Sequence, residues 1–96
     1  MNGYQLRPSA EADLADIWRY TATRWNIEQA NAYHAGIVEA LTRIGENPEI
    51  GRECSDIREG YRRHPAGAHV IFYKIAAGVA DVVRILHQNR DFPRHL

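Results

Sequence analysis

Five side chains in the C-terminal half of this 96-residue sequence are of types that handle phosphate: Arg62, Arg63, Arg84, His87 and Arg90. Guanidinium groups hold phosphoryl oxygens through paired hydrogen bonds. An imidazole titrating near pH 6.5 can carry a proton in either direction. Gathered at one end of a sheet, the five would make a phosphate-facing patch; left apart, they are solvated strand-end charge. Metal-free cleavage of RNA needs more: a base for the 2′-hydroxyl, cations around the pentacoordinate phosphorane and a proton donor for the leaving oxygen. Arg62, Arg63 and Arg84 could supply charge, with His87 alone for the proton transfers. The segment HQNRDFPRHL (87–96) offers no Tyr, and Lys74 is the sole lysine. The set is incomplete for chemistry.

Other chemistries find less support. Among His34, His64, His69, His87 and His95 there is no i, i+4 helical pair, and neither HExxH nor CxxC occurs, so no metal site is expected. His64, His69 and His87 do fall on or near neighbouring strands and could meet across a sheet. Cys54 is the only cysteine, which excludes an internal disulfide. No GxSxG elbow and no phosphate-cradling glycine loop is present, so no cofactor is expected.

The elements that must position these residues follow from periodicity. GYQLR (3–7) alternates as a short strand stopped by Pro8. Ser9 is placed to cap a first helix, whose Leu14, Ile17, Trp18, Thr21, Ala22 and Trp25 form one stripe. Asn26, with Gln29 three residues on, caps a second helix with Ile27, Ala30, Tyr33, Ile37, Leu41 and Ile44 on its stripe, ended by Asn47 and Pro48. So short a connection folds the two helices into an antiparallel hairpin. Trp18 and Trp25 read as core aromatics or, if exposed, as anchors for a partner, with Tyr33 and Ile37 beside them as hydrophobic contact candidates. Residues 46–60 have no sustained period and read as a long loop. YRRHP, AHVIFYKIA and VADVVRILH then make an antiparallel meander, the first two joined by a turn over Pro65 to Gly67. The tail from Gln88 to Leu96 is polar and expected to be loosely held. The order β-α-α-β-β-β predicts an α+β, two-layer domain over 1–96, with the helical hairpin on one face of a mainly antiparallel sheet. If the other face is only partly covered, apolar surface remains for another protein.

The chain is 45% hydrophobic and 25% charged, with zero formal net charge. That balance suits a soluble globular protein and argues against one that coats nucleic acid non-specifically. It is uneven along the chain: five Arg oppose nine acids through residue 56, a net of −4, whereas seven cations oppose three acids afterwards, a net of +4. No apolar run has the length of a membrane span and the N-terminus has no signal-peptide layout, so a cytoplasmic location is expected.

The stretches YQLRPSAEADLADIWRYTATRW, ENPEIGRE, DIREGYRR, GAHVIFYKI and VVRILHQNRD…RHL occur in the order found in one family. Over nearly its whole length the sequence resembles ParE-type toxins of the RelE/ParE superfamily of bacterial toxin–antitoxin modules. The resemblance implies a ParD-like antitoxin that wraps the toxin, its acidic residues meeting the basic half, and DNA gyrase trapped on cleaved DNA as the target. DNA would be contacted only through those partners. The RelE branch shares the fold but cuts ribosome-bound mRNA, commonly with a C-terminal Tyr. Arg62 or Arg63 and Arg84 match its basic sheet positions, whereas the Tyr has no match here, so the gyrase branch is favoured. The alternatives are a ribosome-dependent mRNA endonuclease and a non-toxic module that only binds antitoxin.

Overall fold

The computed structural model describes residues 3–96. A five-stranded sheet runs in the order β1-β5-β4-β3-β2. β1 (Tyr4–Leu6) is parallel to β5 (Val79–His87), and β5, β4 (His69–Ala76), β3 (Arg62–Ala66) and β2 (Arg52–Glu53) are successive antiparallel neighbours. α1 (Pro8–Arg24) and α2 (Ile27–Glu46) pack as a hairpin over one face, and a short α3 spans Phe92–His95. This is the expected α+β architecture with one more strand, because residues 46–60 are not a bare loop. They hold a 3₁₀ turn at Pro48–Ile50 and then β2, which pairs with Arg62 and Arg63.

The helix ends differ in how they are satisfied. Asn26 caps α2 as expected, its Oδ1 accepting the Gln29 N–H at 2.7 Å. Ser9 does not cap α1. Pro8 occupies the first helical position, where its fixed φ fits and its missing N–H costs nothing, and this carries Ser9 inside the helix. Its hydroxyl instead donates to the Val83 carbonyl at 2.8 Å. The reason lies in the sheet. β1 stops at Leu6 while β5 runs on to His87, so the outer edge of β5 would be bare. The Arg7 N–H donates to Val82 O at 2.9 Å, Ser9 donates to Val83 O, and Asp13 Oδ2 accepts the Ile85 N–H at 2.9 Å. The start of α1 thus serves as the missing strand.

A bulge in β5 sets which side chains reach which face. Phe72 pairs with Arg84 and the next residue, Tyr73, with Val82, leaving Val83 as the extra residue. Without it Arg84 would share the helical face with Val82. With it Ile85 joins Val82 in the core under the helices, and Arg84 turns to the opposite face beside Phe72.

Both faces are covered. Under the helices lie Ile37, Leu41, Ile44, Ile71, Tyr73 and Val82, all at most 1% exposed. Tyr73 Oη donates to Pro48 O at 2.6 Å and accepts the Gly51 N–H at 2.8 Å, tying the 3₁₀ turn to the core. A Cβ at Gly51 would sit 2.1 Å from that hydroxyl, so no other residue fits. On the far face Cys54, Phe72 and Leu86 pack with Ile57, Tyr61, Val70, Phe92 and Leu96.

The tail is therefore docked, contrary to expectation. Phe92 stacks edge-on against Phe72 with centroids 4.8 Å apart, Arg84 Nη1 donates to His95 O at 3.1 Å, and Arg58 donates to Leu96 O. Two apolar residues in a polar segment give no periodic signal, but they suffice to cover a patch of this size. The β3–β4 turn also lies later than expected, over Gly67 and Ala68, with Pro65 inside β3 opposite Val70. β2 covers only the first two residues of β3, so at Pro65 the strand is locally an edge and no ladder donor is lost.

Candidate partner-binding site

The five cationic candidates do not converge. Arg62 and Arg63, adjacent on β3, point to opposite faces. Arg62 Nη1 donates to the Gly51 carbonyl at 2.8 Å, so its charge anchors the 3₁₀ turn. Arg63, Phe72 and Arg84 share one row across β3, β4 and β5, two strand spacings or roughly 10 Å end to end. Arg84, however, is turned toward α1. Its Nε and Nη2 make a bidentate pair with Asp13 at 2.7 and 2.8 Å, and its third nitrogen holds the α3 carbonyl. Asp13 was not among the sequence candidates. It lies 71 residues from Arg84, and no local pattern links the two.

His87 and Arg90 belong to the other end of the sheet, where His87 lies opposite His69. There they join a trough between α1 and the ends of β4 and β5. One stretch, of about 370 Å³, is lined by Asp16, Ile17, Tyr20, His69, His87 and Arg90. It continues past Tyr20 into a second, of about 260 Å³, bounded by Trp25, Gln29 and Tyr33. Tyr20 is 65% exposed and Trp25 64%. Trp25 lies beyond the last turn of α1, where the helical stripe no longer points it inward. It is therefore an exposed aromatic and not part of the core.

The floor of the trough is a row of three rings. Tyr33 meets His69 edge-on with centroids 5.5 Å apart, and His69 meets His87 edge-on at 5.3 Å. Tyr33 Oη accepts the Ala68 N–H at 2.9 Å and lies 2.6 Å from His69 Nδ1. The phenolic oxygen keeps a second lone pair and also lies 3.5 Å from the Ala66 carbonyl, so the direction of its bond to Nδ1 follows the His69 tautomer. Burial holds the His69 imidazole below its ordinary pKa, helped by neighbouring His87 and opposed by Asp13. His87 Nδ1 accepts the Asn89 N–H at 3.1 Å, leaving its proton on Nε2. Neither Nε2 has a partner among the described residues, and no unpartnered side-chain nitrogen there is buried, so both Nε2 atoms face solvent, that of His87 as a donor. Gly67 completes the floor: its φ of 61° suits the turn, and a Cβ there would lie 2.8 Å from the Tyr33 ring.

Of the hydrophobic candidates, Trp25 and Tyr33 line this trough, and Ile37 is 1% exposed in the core and offers no contact surface. Trp18 sits on the other flank of α1, half-buried, its indole N–H donated to Asn31 Oδ1 at 2.9 Å. It lines a wider groove of about 570 Å³ with Leu6, Leu14, Ala15 and His34, rimmed by Glu11 and Arg19. Tyr20 was not a sequence candidate, although its place off the apolar stripe of the first helix is a usable sign of exposure. Among the described residues no three acidic, His or Cys side chains come close enough to hold a metal ion, and no helix among them is long and apolar enough to cross a membrane.

Comparison with known proteins fits this architecture. Residues 4–92 match the family model described as ParE toxin of type II toxin-antitoxin system, parDE. The chain is 46% identical over 94 residues to Toxin ParE1 of Mycobacterium tuberculosis strain CDC 1551, covering 97% of this chain and 96% of that protein. It is 40% identical over 96 residues to Toxin ParE1 of Caulobacter vibrioides, covering 100% and 99%. A chain from the chromosomal ParDE TA system of P. aeruginosa superposes with a TM-score of 0.80 at 18% identity, over 91% of this chain and 96% of that one, and so shares the fold. From the matched length and identities together, the chain belongs to the ParE family of type II toxin–antitoxin toxins.

Proposed function

We propose that this toxin acts by binding: it traps DNA gyrase on cleaved DNA in the cytoplasm, does no chemistry of its own, and is held inactive by a ParD-like antitoxin. The observation that carries the binding part is that Arg84 and His87, the candidates for transition-state charge and for proton transfer, already have partners within the chain. Arg84 is clasped by Asp13 and His95 O, Arg62 by Gly51 O, and the basic Nδ1 of His87 accepts the Asn89 N–H. A general base must offer a free lone pair to the substrate hydroxyl, and a transition-state cation must be free to meet developing charge. Gyrase as target rests on the family. For the antitoxin, the groove over Leu6, Leu14 and Trp18 suits the apolar face of an amphipathic segment lying along the hairpin.

Purified toxin added to gyrase, ATP and supercoiled plasmid should accumulate linear DNA as its concentration rises. Unchanged supercoiling without cleavage across a wide dose range would contradict the proposal. Messenger RNA from induced cells should keep its ordinary 5′ ends.

A further inference from the structure

The trough floored by His69 and His87 carries more than the proposed function uses. It shares no lining residue with the Leu6–Trp18 groove. On α1 the groove takes Glu11, Leu14, Ala15 and Trp18 while the trough takes Asp16, Ile17 and Tyr20, so the two lie on different flanks of that helix. Both can be filled at once.

Its charge is one-sided. The acids nearest it are already paired within the chain, Asp13 with Arg84 and Asp16 with Arg19. Arg90 has no carboxylate among the described salt bridges, its one side-chain contact being His95 Nε2 at 3.3 Å. Together with the outward His87 Nε2–H, the trough presents a hydrogen-bond donor and one uncompensated cation, walled by the exposed rings of Tyr20 and Trp25.

We propose that the Tyr20–Trp25–His87–Arg90 trough is a second docking surface, separate from the hairpin groove, and that it takes an acidic peptide segment. A large apolar side chain of the partner lies against Tyr20 and Trp25, and a neighbouring carboxylate accepts from Arg90 and His87. A nucleic-acid strand fits less well. Its affinity comes from several cations spaced along successive phosphates, and here one stands free. The inference does not depend on gyrase being the target.

A random-peptide display library selected on the immobilised toxin tests it. The enriched peptides should pair Asp or Glu with a large apolar residue, and should bind about tenfold more weakly to both Arg90→Glu and Trp25→Ala. Both side chains are exposed, so the variants should melt with the wild-type protein. Trp18→Ala, on the other flank, should leave affinity unchanged. Enrichment of basic or featureless sequences, equal binding to Arg90→Glu and Trp25→Ala as to wild type, or loss of binding on Trp18→Ala alone would overturn the proposal. So would displacement of the selected peptides by a single-stranded oligonucleotide at lower concentration than by a free acidic peptide.

Discussion

Arg84 has the chemistry of a transition-state clamp, yet its guanidinium holds Asp13 and α3 in place. Arg84→Ala should strand a largely buried carboxylate and cost about 2 kcal/mol, lowering Tm by roughly 10 °C in a chain this size. Thermal melts of wild type and variant check this. The histidines give a pH signature. Burial lowers the pKa of His69, and burial followed by the charge of Arg43 lowers that of His64. As pH falls through about 6.5 the unfolded chain takes up protons before the folded one, so stability is full above that value and declines below it. Denaturant midpoints measured from pH 7.5 to 5.5 should fall, and the slope should flatten in the His64→Gln/His69→Gln double variant. At lower pH a second loss begins, because hydrogen bonding to Arg7 holds the Asp81 carboxyl below its ordinary range. That contribution is present above about pH 4 and is lost as pH falls through the folded value. The residue types were readable in the sequence. The partners were not, because Asp13 and Arg84, or Tyr33 and His69, meet only once the fold is complete.

Elements were more legible where local rules suffice. The helical hairpin and its Asn26 cap follow from periodicity and a capping pattern, and β4 and β5 from continuous apolar runs. What escaped was set by neighbours. β2 exists only because β3 offers it an edge, Ser9 serves β5 and not its own helix, and the tail docks on a face whose apolar patch is assembled from separate segments. The β4–β5 turn offers a test of local strain. Ala77 and Gly78 both have positive φ, 53° and 78°, in a two-residue connection between Ala76 and Val79. Such a turn favours Asn-Gly, and an alanine there carries left-handed strain. Ala77→Asn should therefore raise stability by about 0.5–1 kcal/mol, read as a higher denaturant midpoint with an unchanged m-value.

At the scale of the whole molecule, the fold makes a small sheet with both faces occupied and pushes its exposed aromatic and donor groups to one end of the helical layer. The uneven charge along the sequence was visible, but it did not become one basic patch: the bulge in β5 sends Arg84 to the far face, and β3 splits Arg62 from Arg63. The central claim is that this molecule inhibits growth by what it binds, with the Arg84 charge serving structure alone. The most direct measurement is growth after induction, without antitoxin, of the double variant Asp13→Asn/Arg84→Gln, which replaces the ion pair by two amides. Amide and carbonyl groups can keep the contact to the Ile85 N–H and to each other while removing the guanidinium. The account predicts growth arrest as strong as that of the wild-type toxin. A variant that is folded by near-ultraviolet circular dichroism yet lets cells grow normally would contradict it.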